Sequence, residues 1–145
     1  MADLTITAAE VAPVRVLEQS TGPAHEAIDA GEAVYLVAAT GKYALADENA
    51  AWPADRLNGI AISSANQANI TITVVKKGII DLGDALDAMD YGDPVYLSAT
   101  AGKLSDVSVG DGRIVGQVVP GWGATTADKL LSVDLSVAAI VMESA

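Results

Sequence analysis

The chain of 145 residues contains no cysteine. Disulfide staples and thiolate metal sites are therefore excluded. It also contains no phenylalanine, and aromatic residues make up only 4% of it. Its apolar mass, 51% of the residues, is carried by Ala, Val, Ile and Leu, small and branched side chains that suit sheets. Positive charge is scarce as well: 8 basic residues face 19 acidic ones, for a net charge of −11. Favourable nucleic-acid binding needs clustered Lys and Arg, and the one adjacent basic pair is Lys76-Lys77. No nucleic-acid partner is expected. No run approaches the length needed to span a bilayer, so no membrane partner is expected either. Met1-Ala2-Asp3-Leu4 shows no basic region leading into an apolar core, and no signal peptide is expected.

What the chain does contain is a repeat. Gly31-Glu32-Ala33-Val34-Tyr35-Leu36-Val37-Ala38-Ala39-Thr40-Gly41-Lys42 is followed, sixty-one residues later, by Gly92-Asp93-Pro94-Val95-Tyr96-Leu97-Ser98-Ala99-Thr100-Ala101-Gly102-Lys103. Seven of the twelve positions are identical, and Glu32 and Asp93 keep the same charge. Each copy reads as a turn, a strand, a Gly-Lys hairpin and the start of another strand. Downstream, Arg56-Leu57-Asn58-Gly59 and Arg113-Ile114-Val115-Gly116 share an Arg-x-x-Gly step before an apolar strand, with the spacing shortened by four residues. Each is followed by an alternating strand, Ile70 to Val74 and Leu131 to Val137. The expected fold is all-β: a jelly-roll-like β-sandwich or barrel built from two similar meanders, with at most one short helix. An open barrel is the runner-up. Residues 25–145 read as a single β domain with an internal repeat (31–75 and 92–137). Residues 1–24 read as an N-terminal arm or as edge strands. The best helix candidate is Asp84 to Met89, with Asp84 as cap. Thr7 and Glu10 have capping-box spacing, but Pro13 limits any helix there to about one turn. Tyr35 and Tyr96 occupy equivalent positions between apolar neighbours, which predicts strands covered on both faces.

Few constellations suggest chemistry. Asp81, Asp84, Asp87, Asp90 and Asp93 recur at every third residue. A calcium loop needs ligands at alternate positions and a Gly at its bend, so a solvated or partner-facing acidic edge fits better than a metal site. His25 has Glu26 and Asp29 nearby, and Ser20 or Thr21 as conceivable nucleophiles, but no Gly-x-Ser-x-Gly elbow accompanies them. Gly110-Asp111-Gly112 lacks the spacing of a phosphate cradle. No catalytic residue, metal or cofactor is expected, and the chain does not read as an enzyme. The contact candidates are Leu4, Ile6, Val14 and Val16 near the N-terminus and Ile140, Val141 and Met142 near the C-terminus. Both ends carry more apolar side chain than a solvated tail needs, whether as arms or as edge strands. Trp52 and Trp122, set beside Pro53 and Pro120-Gly121, are further contact candidates or lids on the core.

The twice-written G-[ED]-x-V-Y-L-x-A-x-x-G-K pattern resembles the small β-rich decoration, or cement, proteins on the heads of tailed bacteriophages. The resemblance covers residues 31–62 and 92–119. It implies a structural virion protein on the outer surface of the capsid, a homo-oligomer (dimer or trimer) that bridges neighbouring copies of the major capsid protein and has no catalytic residues. Phage fibre modules use similar hairpins, and the alternative is a fibre or adhesin-type module that recognises host-surface glycan through Trp52, Trp122 and the acidic loops.

Overall fold

A computed structural model describes residues 3–46, 57–107, 114–121 and 129–135. Its strands are β1 (Val11–Pro23), β2 (Ala33–Leu36), β3 (Tyr43–Leu45), β4 (Gly59–Ala61), β5 (Thr71–Leu82), β6 (Pro94–Leu97), β7 (Leu104–Ser105), β8 (Ile114–Pro120) and β9 (Lys129–Asp134). They form one antiparallel sheet in the order β3-β2-β4-β5-β9-β8-β6-β7, with β1 added to β5. The sheet curls into a half-barrel, and the chain is all-β as its alternation predicts. The order reads the same from either end once β2, β3, β4 and β5 are matched to β6, β7, β8 and β9. The repeat in the sequence is thus a repeat in the topology.

Matching hydrogen bonds show how far the repeat extends. The Val37 N–H donates to the Lys42 carbonyl at 2.8 Å, and the Ser98 N–H to the Lys103 carbonyl at 3.0 Å. Between them Gly41 and Gly102 take φ of +71° and +79°, where a side chain would be strained. The Gly31 N–H reaches the Ala61 carbonyl at 2.7 Å, and the Gly92 N–H reaches Val118 at 2.8 Å. The shared acid has a reason as well. A Glu32 carboxylate oxygen accepts the Asp29 N–H at 2.7 Å, and an Asp93 oxygen accepts the Asp90 N–H at 2.9 Å. The repeat therefore begins earlier than its glycine, at Ala27-Ile28-Asp29 and Ala88-Met89-Asp90. Removing such a cap costs about 1 kcal/mol. Asp93→Ala is expected to lose about that much in urea unfolding, while Asp93→Asn, which keeps an acceptor, loses much less.

β5 joins the two units. β1 runs along one edge of it, from Pro23 opposite Thr71 to Val11 opposite Leu82. β4 and β9 share the other edge, β4 at Val74 and Val75 and β9 from Lys77 to Ile80. One strand thus serves two half-sheets. The register with β1 shifts between Val75 and Lys77, so Lys76 is an inserted residue. In unbroken alternation Val74 and Ile80 would share a face. The bulge moves them to opposite faces: Ile72 and Val74 enter a small cluster, while Ile80 and Leu82 enter the central core.

The central core draws on both units, with Ala33, Leu57 and Ile60 from the first packed among Val95, Leu97 and Leu131. The small cluster lies on the other side of the first half-sheet, where Ile28 and Ala65 from the connecting loops cover Val34, Tyr43, Ala61 and Val74. Their repeat partners Val95, Leu104, Val118 and Leu131 all lie in the central core. The units therefore stack facing the same way: the face of the first unit opposite its small cluster packs on the face of the second that corresponds to that cluster. This corrects the expectation that both tyrosine strands are covered on both faces. β2 is; Tyr35 packs on the central core. In β6 burial alternates, with Val95 and Leu97 buried and Pro94 and Tyr96 half-buried on the other face.

Helix is confined, among the described residues, to a single 3-10 turn at Ala8–Glu10, where Thr7 makes no side-chain cap. The segment expected to be helical, Asp84 to Met89, is a chain of tight turns. Its Asp87 N–H bonds to Asp84 and its Met89 N–H to Leu86. Six residues do not offset helix nucleation, and burial of Leu86 and Met89 in the core decides the path instead. The N-terminal segment folds back: the Leu4 N–H donates to the Leu104 carbonyl at 2.8 Å and Asp3 pairs with Ser105, ahead of the long edge strand β1.

Candidate interaction surface

The contact candidates separate by location. Leu4 and Ile6 are half-buried and pack against the protein's own central core. Val14 and Val16 are exposed on β1, at 37% and 36% of their surface. Leu17, not among the residues expected from sequence, is 58% exposed beside them. Trp52, Trp122, Ile140, Val141 and Met142 lie outside the described residues. β1 is an edge strand of 13 residues whose only partner among the described residues is β5. Its register breaks between Pro13 and Arg15 and again between Val16 and Glu18. Pro13 and these bulges disfavour the addition of another strand, so β1 offers side chains rather than backbone to a partner.

Two of the groups weighed for chemistry, Ser20 and Glu26, are engaged elsewhere. The Ser20 hydroxyl is hydrogen-bonded to the Tyr43 hydroxyl. A Glu26 carboxylate oxygen accepts the Leu45 N–H at 3.2 Å, and His25 sits exposed beside them. Two members of the aspartate series are turn builders: Asp81 accepts the Gly83 N–H at 2.8 Å, and Asp93 caps Asp90. Asp84, Asp87 and Asp90 are exposed. Among the described residues no three His, Asp or Glu side chains come together as a metal site. Lys129 reaches back to the Asp87 and Met89 carbonyls and lies 5.3 Å from the Tyr91 ring, which ties this turn to β9.

Among the described residues, no element packs on the outer face of the second half-sheet. Strand register orders it in two rows. Arg15 stands opposite Ile79, Ile79 opposite Ser132, Ser132 opposite Gln117 and Gln117 opposite Pro94. In the next row Glu18 stands opposite Lys77, Lys77 opposite Asp134, and, across β8, Ile114 opposite Tyr96. Cross-strand neighbours point to the same side. Two shallow depressions mark this surface, of about 360 Å³ around Ile114 and Gln117 and about 260 Å³ around Arg15 and Ile79. Both include Ser132 and Asp134, so they form one trough across the strands. Ile114 is 49% exposed.

A signal for this face was present in the sequence. Ile60 pairs with Val75 in the first unit, and at the equivalent place Gln117 pairs with Ser132 in the second. An apolar pair buried in one copy and polar in the other marks the solvent side of the second. The information lies where the two copies differ and not in what they share. Comparison of the chain with family models, with curated proteins and with solved structures gave no match.

Proposed function

We propose that this protein is a structural component of a phage virion, which decorates the outside of the capsid and cements neighbouring subunits of the major capsid protein. On this reading it acts as a homo-oligomer, without catalysis or cofactor. The observation that carries the proposal is the long edge strand β1, which exposes Val14, Val16 and Leu17 beside a rigid doubled scaffold. The resemblance of the repeated hairpin motif to head decoration proteins points the same way.

A shell under internal pressure strains its subunit contacts. A clamp that touches two subunits adds surface that must separate before they do, and a specific interface buries about 1,200–2,000 Å². Symmetry repeats that gain over the whole shell, so single contacts can be weak. A sheet held by paired backbones changes shape little under such load. The net charge of −11 keeps the protein from straying onto DNA.

The test is addition of purified protein to undecorated tailed-phage shells. Shells are expected to take it up at regular stoichiometry and to survive heat or osmotic shock better. Val14→Asp with Val16→Asp is expected to lower uptake at least tenfold while leaving the melting temperature nearly unchanged. Shells that bind none, or that gain no resistance on binding, would overturn the reading.

A further inference from the structure

We propose that the uncovered face of the second half-sheet is a self-association surface, on which two copies of this chain pack about a twofold axis lying across the strands, with Arg15 of each copy against Glu18 of the other. The fold itself supplies a precedent. At equivalent positions in the first unit, Ala33, Tyr35 and Ile60 are packed against the other half-sheet in the central core. The same backbone surface is thus already seen buried against a sheet once in the molecule. In the second unit it carries Pro94, Tyr96 and Gln117, flanked by Ile79 and Ile114. This mixed composition is that of a non-obligate interface and not of a core.

Charge selects the occupant. Association between two bodies each carrying −11 is opposed over most of their surface. Among the described residues this face is locally neutral: Arg15 and Lys77 balance Glu18 and Asp134. A strongly acidic or basic partner would call for one sign, and here both signs share the two rows. The pattern complements itself in one orientation. A twofold axis across the strands exchanges the two rows within each strand. It places Arg15 over Glu18 of the other copy, Ser132 over Asp134 and Pro94 over Tyr96. An axis along the middle strand of this face, β9, would instead bring Asp134 onto Asp134. Aligned sheets packed face to face are a common arrangement, and the trough leaves room for side chains to interdigitate.

This pairing does not depend on the capsid reading, and its test uses the purified full chain alone. Sedimentation equilibrium from low to high micromolar concentration is expected to show a dimer. Arg15→Glu and Glu18→Arg are each expected to raise the dissociation constant by roughly tenfold to a hundredfold, and the double variant to restore it. Ile114→Asp should also dissociate the dimer, since that residue lies in the trough and outside the charged columns. A monomer throughout, a dimer indifferent to both charge reversals, or a double variant that fails to recover would overturn the proposal. Should the wild type be monomeric and Arg15→Glu abolish shell binding, the face belongs to a shell subunit; the pairing and the homo-oligomer fall, and capsid attachment stands. Should a charge-swappable dimer ignore shells, the pairing stands and the capsid reading falls.

Discussion

Gly59→Ala and Gly116→Ala should each destabilise the fold by about 2–3 kcal/mol, lowering the melting temperature by roughly 6–12 °C. A methyl group at Gly59 would lie 2.4 Å from Val74 Cγ1 and 2.7 Å from the Val75 carbonyl oxygen. At Gly116 it would lie 2.3 Å from the Ser132 carbonyl oxygen and 2.9 Å from Leu131 Cδ1. In both cases the obstacle includes the backbone of the next strand, which cannot turn aside as a side chain could. The two glycines are the same position in the repeat: Val34 pairs with Gly59, and Val95 with Gly116. Gly41→Ala is the control. Nothing lies within 4 Å of its Cβ, and only its φ of +71° opposes the change, for about 1 kcal/mol. Calorimetry on the three variants separates close approach from backbone strain. If Gly59→Ala and Gly116→Ala melt no lower than Gly41→Ala, the strands do not approach as described.

These glycines also show what was legible in the sequence. The Arg-x-x-Gly step was visible as a spacing, and so was its shift by four residues. Why a glycine recurs there was not visible, because the reason is a carbonyl some fifteen residues further on, in another strand. The hairpin turns were fully legible, since a Gly with positive φ beside Lys42 or Lys103 is a local matter. So was the all-β character, which rests on alternation within a few residues. The acidic strip was half legible. Its period of three argued against one converging loop, but the bonds of Asp81 and Asp93 to nearby backbone amides emerge only from the turn geometry.

The extent of the outer face, beyond the Gln117 and Ser132 pair, was hidden for a different reason. It depends on the bulge at Lys76, which reverses the facing of β5 midway, and a bulge leaves no mark in a pattern of apolar and polar letters. Leu17, Ile79 and Ile114 read as ordinary strand residues until the register across β1, β5, β9 and β8 is known. Val14 and Val16 were legible as excess apolar surface near the N-terminus. That Leu4 and Ile6 differ from them was not, because the backbone pairing of Asp3 and Leu4 with β7, some hundred residues on, draws them onto the core.

Leu97→Ala is expected to cost about 3–5 kcal/mol, and its repeat partner Leu36→Ala about 1–2 kcal/mol. The sequence treats the two leucines alike, within V-Y-L in both copies. The structure does not. Leu97 is fully buried in the central core, where truncation leaves a cavity walled by residues of both units. Leu36 is half-buried at the rim of the small cluster, with solvent beside it to fill the space. A domain of this kind is stable by about 5–15 kcal/mol, so Leu97→Ala removes a large fraction of the total. Leu97→Val against Leu36→Val keeps the comparison measurable if the alanine variant does not fold. Urea unfolding with matched slopes gives the two differences directly. Equal losses would mean that the units meet through like faces, as two meanders related by symmetry in a sandwich do. Unequal losses in the stated order require the stacked arrangement, in which one copy's inner face has become the other copy's capped exterior, and with it the open outer face that the second unit presents to a partner.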